Sequence, residues 1–173
     1  ACLIDRDRVE RGEHADIRDD RRVALSLLSN LLGGPSANSL LNMAVRERNG
    51  LSYSIEGSYT PYGDAGIVAI YFSSDHDNCD RCLELVRGQI DSLRTRRLST
   101  RRLALAKKQF VAQLAISMES NEGYMLGAGK SYLVHSEVDT MEEVYRKISD
   151  LQAGELLEVA NEVLASPSLL VYR

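Results

Sequence analysis

The sequence predicts an α+β fold, a mainly antiparallel sheet with helices packed on one face. Three observations lead there. Strand-like segments are few, and the helical patterns cluster in runs instead of alternating with them. The one adjacent strand pair is joined by Pro61-Tyr62-Gly63-Asp64, a turn and not a crossover helix. The other sheet face must then meet solvent or a partner. At 173 residues the chain can build one substantial core, so residues 1–173 read as one domain.

Cys2-Leu3-Ile4 reads as an edge strand, cut in mid-sequence at Ala1, and the chain as a fragment of a longer one. Asp5 to Arg18 is a charged, solvated connection containing His14. Asp19 or Asp20 caps a helix from Arg21 to Leu32, where Val23, Ala24, Leu27, Leu28, Leu31 and Leu32 follow helical spacing. Gly33 and Gly34 are suited to the positive φ that ends a helix. Pro35 cannot donate a hydrogen bond, and Ser36 or Asn38 can cap the next helix, Asn38 to Arg48. Asn49-Gly50 stops it.

Leu51 to Thr60 and Gly66 to Ser73 form a hairpin. On its first strand Tyr53, Ile55, Gly57 and Tyr59 share one face, and Ser52, Ser54, Glu56 and Ser58 the other. The second strand is apolar at both parities, so it reads as central and covered on both faces. Asp75 to Asn78 opens a helix from Cys79 to Arg94 with Leu83, Val86, Ile90 and Leu93 inward. Ser99 or Thr100 caps Arg101 to Ser117, with Leu103, Ala106, Phe110, Val111 and Leu114 inward. A bend at Glu119 to Gly123 precedes a helix from Tyr124 to Leu133. Asp139 caps Met141 to Ile148, Gly154-Glu155 opens Leu156 to Leu164, and Ser168 to Tyr172 is a final strand.

Composition narrows the function classes. A net charge of -4 gives no bulk attraction to nucleic acid or an anionic membrane. No apolar run approaches a membrane span. The basic cluster from Arg94 to Arg102 has no interleaved aromatics for base stacking and reads as a helix-end surface. Three cysteines make no disulfide framework, and Cys79-x-x-Cys82 has no second pair with which to build a zinc site. Reduced thiols, and so a cytoplasmic location, are the simpler expectation. His76 with Asp75 and Asp77 could ligate a metal, although solvation at a helix start explains them better. His135 is most simply structural. Gly127-x-Gly129 lacks the strand that a dinucleotide fingerprint requires.

The stretch Leu32-Gly33-Gly34, then a helix opening on small polar residues, then Arg46-Glu47-Arg48-Asn49-Gly50-Leu51-Ser52-Tyr53-Ser54 resembles the non-zinc half of the insulinase-like (pitrilysin, M16) zinc peptidases, notably their short bacterial members. Asp64-Ala65-Gly66 followed by a strand fits the same pattern, and the likeness runs from about Asp20 to Leu164. The resemblance implies an α+β layer, two of which close around a peptide chamber. It implies no cofactor in this chain and zinc in a partner domain, the zinc-binding M16 N-terminal domain, on the same polypeptide or a partner subunit. It also admits a homodimer. The family's inverted His-x-x-Glu-His motif is absent, and His14, His76 and His135 are too far apart to share adjacent helical turns. The chain is therefore expected to bind no catalytic zinc and to cleave nothing alone.

Carried over from the family, Arg46 and Tyr53 support the transition state or hold the backbone of a peptide substrate. A guanidinium and a phenol aimed at a developing oxyanion are worth roughly 2–4 kcal/mol each. Ser52, Ser54 and Glu56 are candidate substrate-binding residues, because their polar row could line a wet groove where a peptide adds to the sheet edge. Without a substrate role, Tyr53 would be half-buried in the sheet and Arg46 paired with Glu47 or Asp64. Two other functions stand beside the peptidase half. One is a structural homologue acting in assembly, like the core subunits of the respiratory bc1 complex. The other is an unrelated ligand-binding domain, which would need an enclosed apolar pocket away from Tyr53.

Overall fold

The computed structural model describes residues 2–6, 21–62 and 66–171. The solvated connection with His14, the Asp19 and Asp20 caps, the Gly63-Asp64 turn tip, the His135 side chain and Tyr172 lie outside the described residues. Four strands, β1 (Cys2–Arg6), β2 (Ser54–Pro61), β3 (Gly66–Ser73) and β4 (Ser168–Leu170), make one sheet in the order β2-β3-β1-β4. Every neighbouring pair is antiparallel. Among the described residues six α-helices accompany it: α1 (Arg22–Gly33), α2 (Cys79–Thr95), α3 (Thr100–Met118), α4 (Asn121–His135), α5 (Met141–Asp150) and α6 (Ala153–Val163). The α+β class and the antiparallel sheet agree with the sequence reading.

One strand takes a different place. β1 is interior, not an edge, because β4 returns beside it with Cys2 opposite Leu170 and Ile4 opposite Ser168. β2 and the short β4 are the edges.

The inner row of the hairpin pairs Ile55 with Phe72, Gly57 with Ile70 and Tyr59 with Val68. Ile55, Val68, Ile70 and Phe72 are buried against Leu25, Leu28 and Leu32 of α1, Val86 and Ile90 of α2, and Leu156 and Ala160 of α6 in one core. The outer row pairs Glu56 with Tyr71, Ser58 with Ala69 and Thr60 with Ile67. Here the expectation that β3 is covered on both faces is corrected. β3 is interior in the sheet, but Tyr71 is exposed and Ile67 and Ala69 are only partly covered, because the helical core lies on the other side.

The glycines after Leu32 do a different job from the one expected. Neither Gly33 nor Gly34 has a positive φ; among the described glycines only Gly50 does, at 62°. They are required for space. A Cβ on Gly33 would sit 2.3 Å from the backbone nitrogen of Gly57 and 2.7 Å from its Cα, and one on Gly34 would sit 2.5 Å from the Asn30 carbonyl oxygen. The end of α1 therefore lies directly on the backbone of β2.

Helix starts also differ in detail. α1 begins from Arg21 without a side-chain cap. Ser99 caps α3 as expected, its hydroxyl accepting from the Arg102 N–H at 3.3 Å. α5 is capped by Thr140 and not Asp139, in a box where Thr140 accepts from the Glu143 N–H and Glu143 accepts from the Thr140 N–H at 2.7 Å. Asp139 instead pairs with Lys147 at 2.6 Å. The α3 stripe is half right: Leu103 and Ala106 are buried, while Phe110, Val111 and Leu114 are partly exposed.

Three substitutions test this packing and capping. Gly33→Ala puts a methyl into backbone that cannot swing aside, so it should destabilise by at least about 1–3 kcal/mol in urea unfolding. Gly88→Ala, mid-α2 with open space around its Cβ, should instead gain about 0.5–1 kcal/mol. Thr140→Ala should cost about 1 kcal/mol at neutral pH. Hydrogen bonds from the Thr140 backbone and hydroxyl hold the Glu143 carboxyl below its usual pKa. A depressed folded pKa stabilises above the unfolded value and is lost as pH falls through the folded one. The gap between wild type and Thr140→Ala should therefore narrow in unfolding curves taken below about pH 4.3.

Candidate functional site

The site is built outward from the turn after α1. Asn42 is buried, and its Nδ2 donates to Ser39 Oγ at 2.8 Å and lies near the carbonyls of Ser36 and Gly34. This pins the start of the second helical segment, where the small polar residues were read as capping. From Asn42 to Glu47 that segment is a π-helix. Its wide turn shows in the Arg48 N–H, which donates to Met43 five residues back at 3.2 Å, and in the Leu51 N–H, which reaches Val45 at 3.1 Å. Asn49 Nδ2 takes the Ala44 carbonyl at 2.6 Å, and Gly50 turns with positive φ while its N–H meets the Arg46 carbonyl at 2.8 Å. The helix ends at Asn49-Gly50, as the sequence indicates.

The regular strand begins only at Ser54, so the face pattern expected over Ser52 and Tyr53 is reversed. Ser52 is buried, its hydroxyl 2.8 Å from the Ser73 carbonyl and 2.6 Å from that of Ser54. Tyr53 donates its N–H to Ser73 at 3.0 Å and turns its ring outward, 74 % exposed. Half-burial of Tyr53 in the sheet is thereby excluded. Its hydroxyl donates to Asp75 Oδ1 at 3.0 Å. That bond, and then the carboxylate charge, raise the phenol's pKa above its ordinary value. Asp75, weighed in the sequence as a possible metal ligand, is here the partner of Tyr53, a pairing that sequence reasoning missed. It sits just beyond β3, and nothing in spacing alone relates it to Tyr53.

Arg46 is exposed on the π-helix, and its Nε and Nη2 reach Glu47 Oε1 at 3.1 and 2.9 Å. Such a surface pair is worth about 0–1 kcal/mol, so a ligand carbonyl or carboxylate could displace it. Asp64, the other partner considered, lies outside the described residues. Arg46 and Tyr53 thus flank one glycine turn, each on a carboxylate of its own neighbourhood. Ser54 and Glu56 lie on the open sheet face, with Ser54 Oγ 2.9 Å from Ser73 Oγ. Ser52 instead fastens the start of the strand from within.

The described residues do not fit a catalytic zinc. Among them no group of three or more His, Cys, Asp or Glu converges. Asp75 is engaged by Tyr53. Cys82 is buried 3.5 Å from the Leu51 carbonyl, and burial pushes its thiol pKa up. A thiol so placed is disfavoured as the thiolate that a metal would need. Away from Tyr53, an apolar groove of about 380 Å³ lies among α3, α4 and α5, lined by residues such as Leu114, Met118, Gly127 and Val144. It is open rather than enclosed.

The described residues thus form an antiparallel sheet with one helical layer and one open face, bearing an exposed arginine and tyrosine at one corner. The peptidase M16 inactive-domain model matches residues 13–110, and the chain belongs to that family. The Bacillus subtilis "uncharacterized zinc protease YmxG" is 28 % identical over 134 residues, covering 78 % of this chain and 32 % of that protein. A crystal structure of a protease from Helicobacter pylori superposes with a TM-score of 0.78 at 18 % identity, covering 94 % of this chain and 38 % of that one. A chain of complex III2 from Candida albicans gives 0.77 at 14 % identity, covering 92 % and 38 %. The chain spans about a third of the length of the curated relatives it matches. Family membership removes the unrelated ligand-binding domain from consideration.

Asp75→Asn should lower the Tyr53 pKa toward that of an ordinary phenol. The alkaline absorbance titration of wild type minus Tyr53→Phe isolates this group, and the difference curve should move to lower pH in the Asp75→Asn background. An unmoved curve means that the hydroxyl does not rest on Asp75.

Proposed function

We propose that this domain is the substrate-binding, catalytically supporting half of a zinc-dependent metalloendopeptidase, whose zinc is held by a separate M16 half. One observation carries the reading: the Tyr53 phenol stands in solvent beside the sheet edge, held by Asp75, across a glycine turn from an exposed Arg46. Peptide hydrolysis builds negative charge on the scissile carbonyl oxygen, and preformed donors aimed there stabilise it more than the ground state. Arg46 and Tyr53 contact the substrate backbone or that oxyanion. Ser54 and Glu56 extend the polar surface along β2, where an extended peptide can pair with the edge strand. Ser52 serves by fixing the start of that strand.

A phenol has one proton. While it is donated to Asp75, the Tyr53 oxygen can only accept, and it suits a substrate N–H. To serve an oxyanion it must leave Asp75. The two roles separate kinetically: an acceptor of ground-state bonds acts on KM, a donor to the oxyanion on kcat.

The test is the peptidase activity of the full-length protein with and without a chelator. Activity should be chelator-sensitive, and Tyr53→Phe and Arg46→Ala should each lower turnover at least about tenfold, equivalent to about 1.4 kcal/mol, with unfolding curves unchanged. The alternative is a non-catalytic homologue acting in protein assembly, which the likeness to a complex III2 chain suggests. An inactive full-length protein that takes up no zinc would select it.

A further inference from the structure

Cys79 and Cys82 stand three residues apart on the first turn of α2, in unlike surroundings. Cys79 is partly exposed at the margin of the core, and Cys82 is fully buried in it. Residues three apart in a helix have Cα atoms about 5 Å apart, inside the roughly 4.4–6.8 Å that a disulfide spans. The first turn is also free to tighten. Asn78 places no side-chain cap on α2, and the chain enters the helix through a 3-10 turn, His76–Asn78. In 3-10 geometry side chains three apart stand one above the other. Burial above all keeps Cys82 protonated, so the opening attack in an exchange reaction falls to the accessible Cys79.

Both thiols connect to the Tyr53 corner. The Cys82 thiol donates to the Leu51 carbonyl at 3.5 Å, two residues before Tyr53. The Ser74 hydroxyl, next to Asp75, hydrogen-bonds the same sulfur. Cys79 reaches Asp75 through the backbone. Its N–H donates to the His76 carbonyl, and the Asn78 N–H donates to the Asp75 carbonyl at 3.1 Å.

We infer that Cys79 and Cys82 are a modification site: a dithiol that closes reversibly to a disulfide by exchange with a low-molecular-weight disulfide, and in closing loosens the Tyr53–Asp75 contact. Cys79 loses its proton and attacks one sulfur of the small disulfide, whose other sulfur leaves and takes up that proton. Cys82 then loses its proton, attacks the Cys79 sulfur and expels the second small thiol. Two electrons pass from the protein pair to the small disulfide, and two protons to its thiols. Closure removes the S–H that Leu51 accepts and draws Cys79 inward, together with the turn that begins at Asp75. The inference rests on the geometry of the corner and not on a role in peptide hydrolysis.

The full-length protein, incubated with oxidised glutathione, alkylated with iodoacetamide and digested with trypsin, tests it. Trypsin cuts after Arg81, between the two cysteines. Mass spectrometry should show the peptide ending at Arg81 joined to Cys82–Arg87, and dithiothreitol should separate them. With both proteins oxidised, the titration of wild type minus Tyr53→Phe should move to lower pH, as the Asp75 carboxylate withdraws from the phenol. Cys79→Ser, at a partly exposed position, should show neither the link nor the shift. Glutathione retained on Cys79, two alkylated thiols, or a disulfide that leaves the titration unmoved overturns the inference.

Discussion

The contact on which the structure most depends is backbone on backbone: Gly33 at the end of α1 against Gly57 in the middle of β2. It leaves no room for a side chain on the helix, so α1 can settle onto the sheet at a distance that any other residue would increase. That distance lets Leu25, Leu28 and Leu32 share a core with Ile55, Val68, Ile70 and Phe72. It also fixes where the chain leaves α1. Gly34 folds tightly back on the Asn30 carbonyl, Pro35 turns, and Asn42 is held by Ser39 under the loop. The Arg46–Tyr53 corner thus takes its position from the same helix end as the core.

The π-helix belongs to the same construction. Local widening of a helix weakens its hydrogen bonding and persists where the surroundings compensate. Here Asn49 and the turn at Gly50 satisfy the carbonyls of Ala44 and Arg46, and Leu51 that of Val45. The extra turn width places Arg46 outside and Val45 fully inside. From Gly50 the chain enters the sheet edge by way of Ser52, whose buried hydroxyl bridges two carbonyls. Tyr53 follows it outward because its neighbours on both sides are held.

Periodicity and turn chemistry made most of this legible in advance. The helix from Cys79, the hairpin strand Gly66–Ser73 and the stop at Asn49-Gly50 need only spacing and glycine, and they stand where spacing puts them. Three features were not legible, each for a physical reason. β1 is interior because a strand from the far end of the chain returns beside it, Ile4 opposite Ser168, and a pairing that remote leaves no local trace. Alternation assigned Ser52 and Tyr53 to the wrong sides because it presumes a strand from Leu51 that in fact starts at Ser54. The role of Gly33 was read as a φ requirement because sequence shows a glycine's freedom but not what lies against it. Tyr53 and Arg46 were found through a family motif, whereas Asp75 has no motif and emerges only from geometry.

The two sides of the domain pose different physical problems. The open sheet face is polar along β2, where Ser54, Glu56 and Ser58 are exposed and need no cover. α4 is apolar on its outward side and gains nothing from water. A domain that met water on all sides would be expected to reverse this, with polar residues on its outermost helix. The polar row is therefore the face that can remain wet and accept an extended chain by main-chain pairing, which asks little of sequence. The apolar stripe is the face whose burial would release ordered water. That division requires the two surfaces to lie on different elements, which they do: the polar row on β2, the stripe on α4.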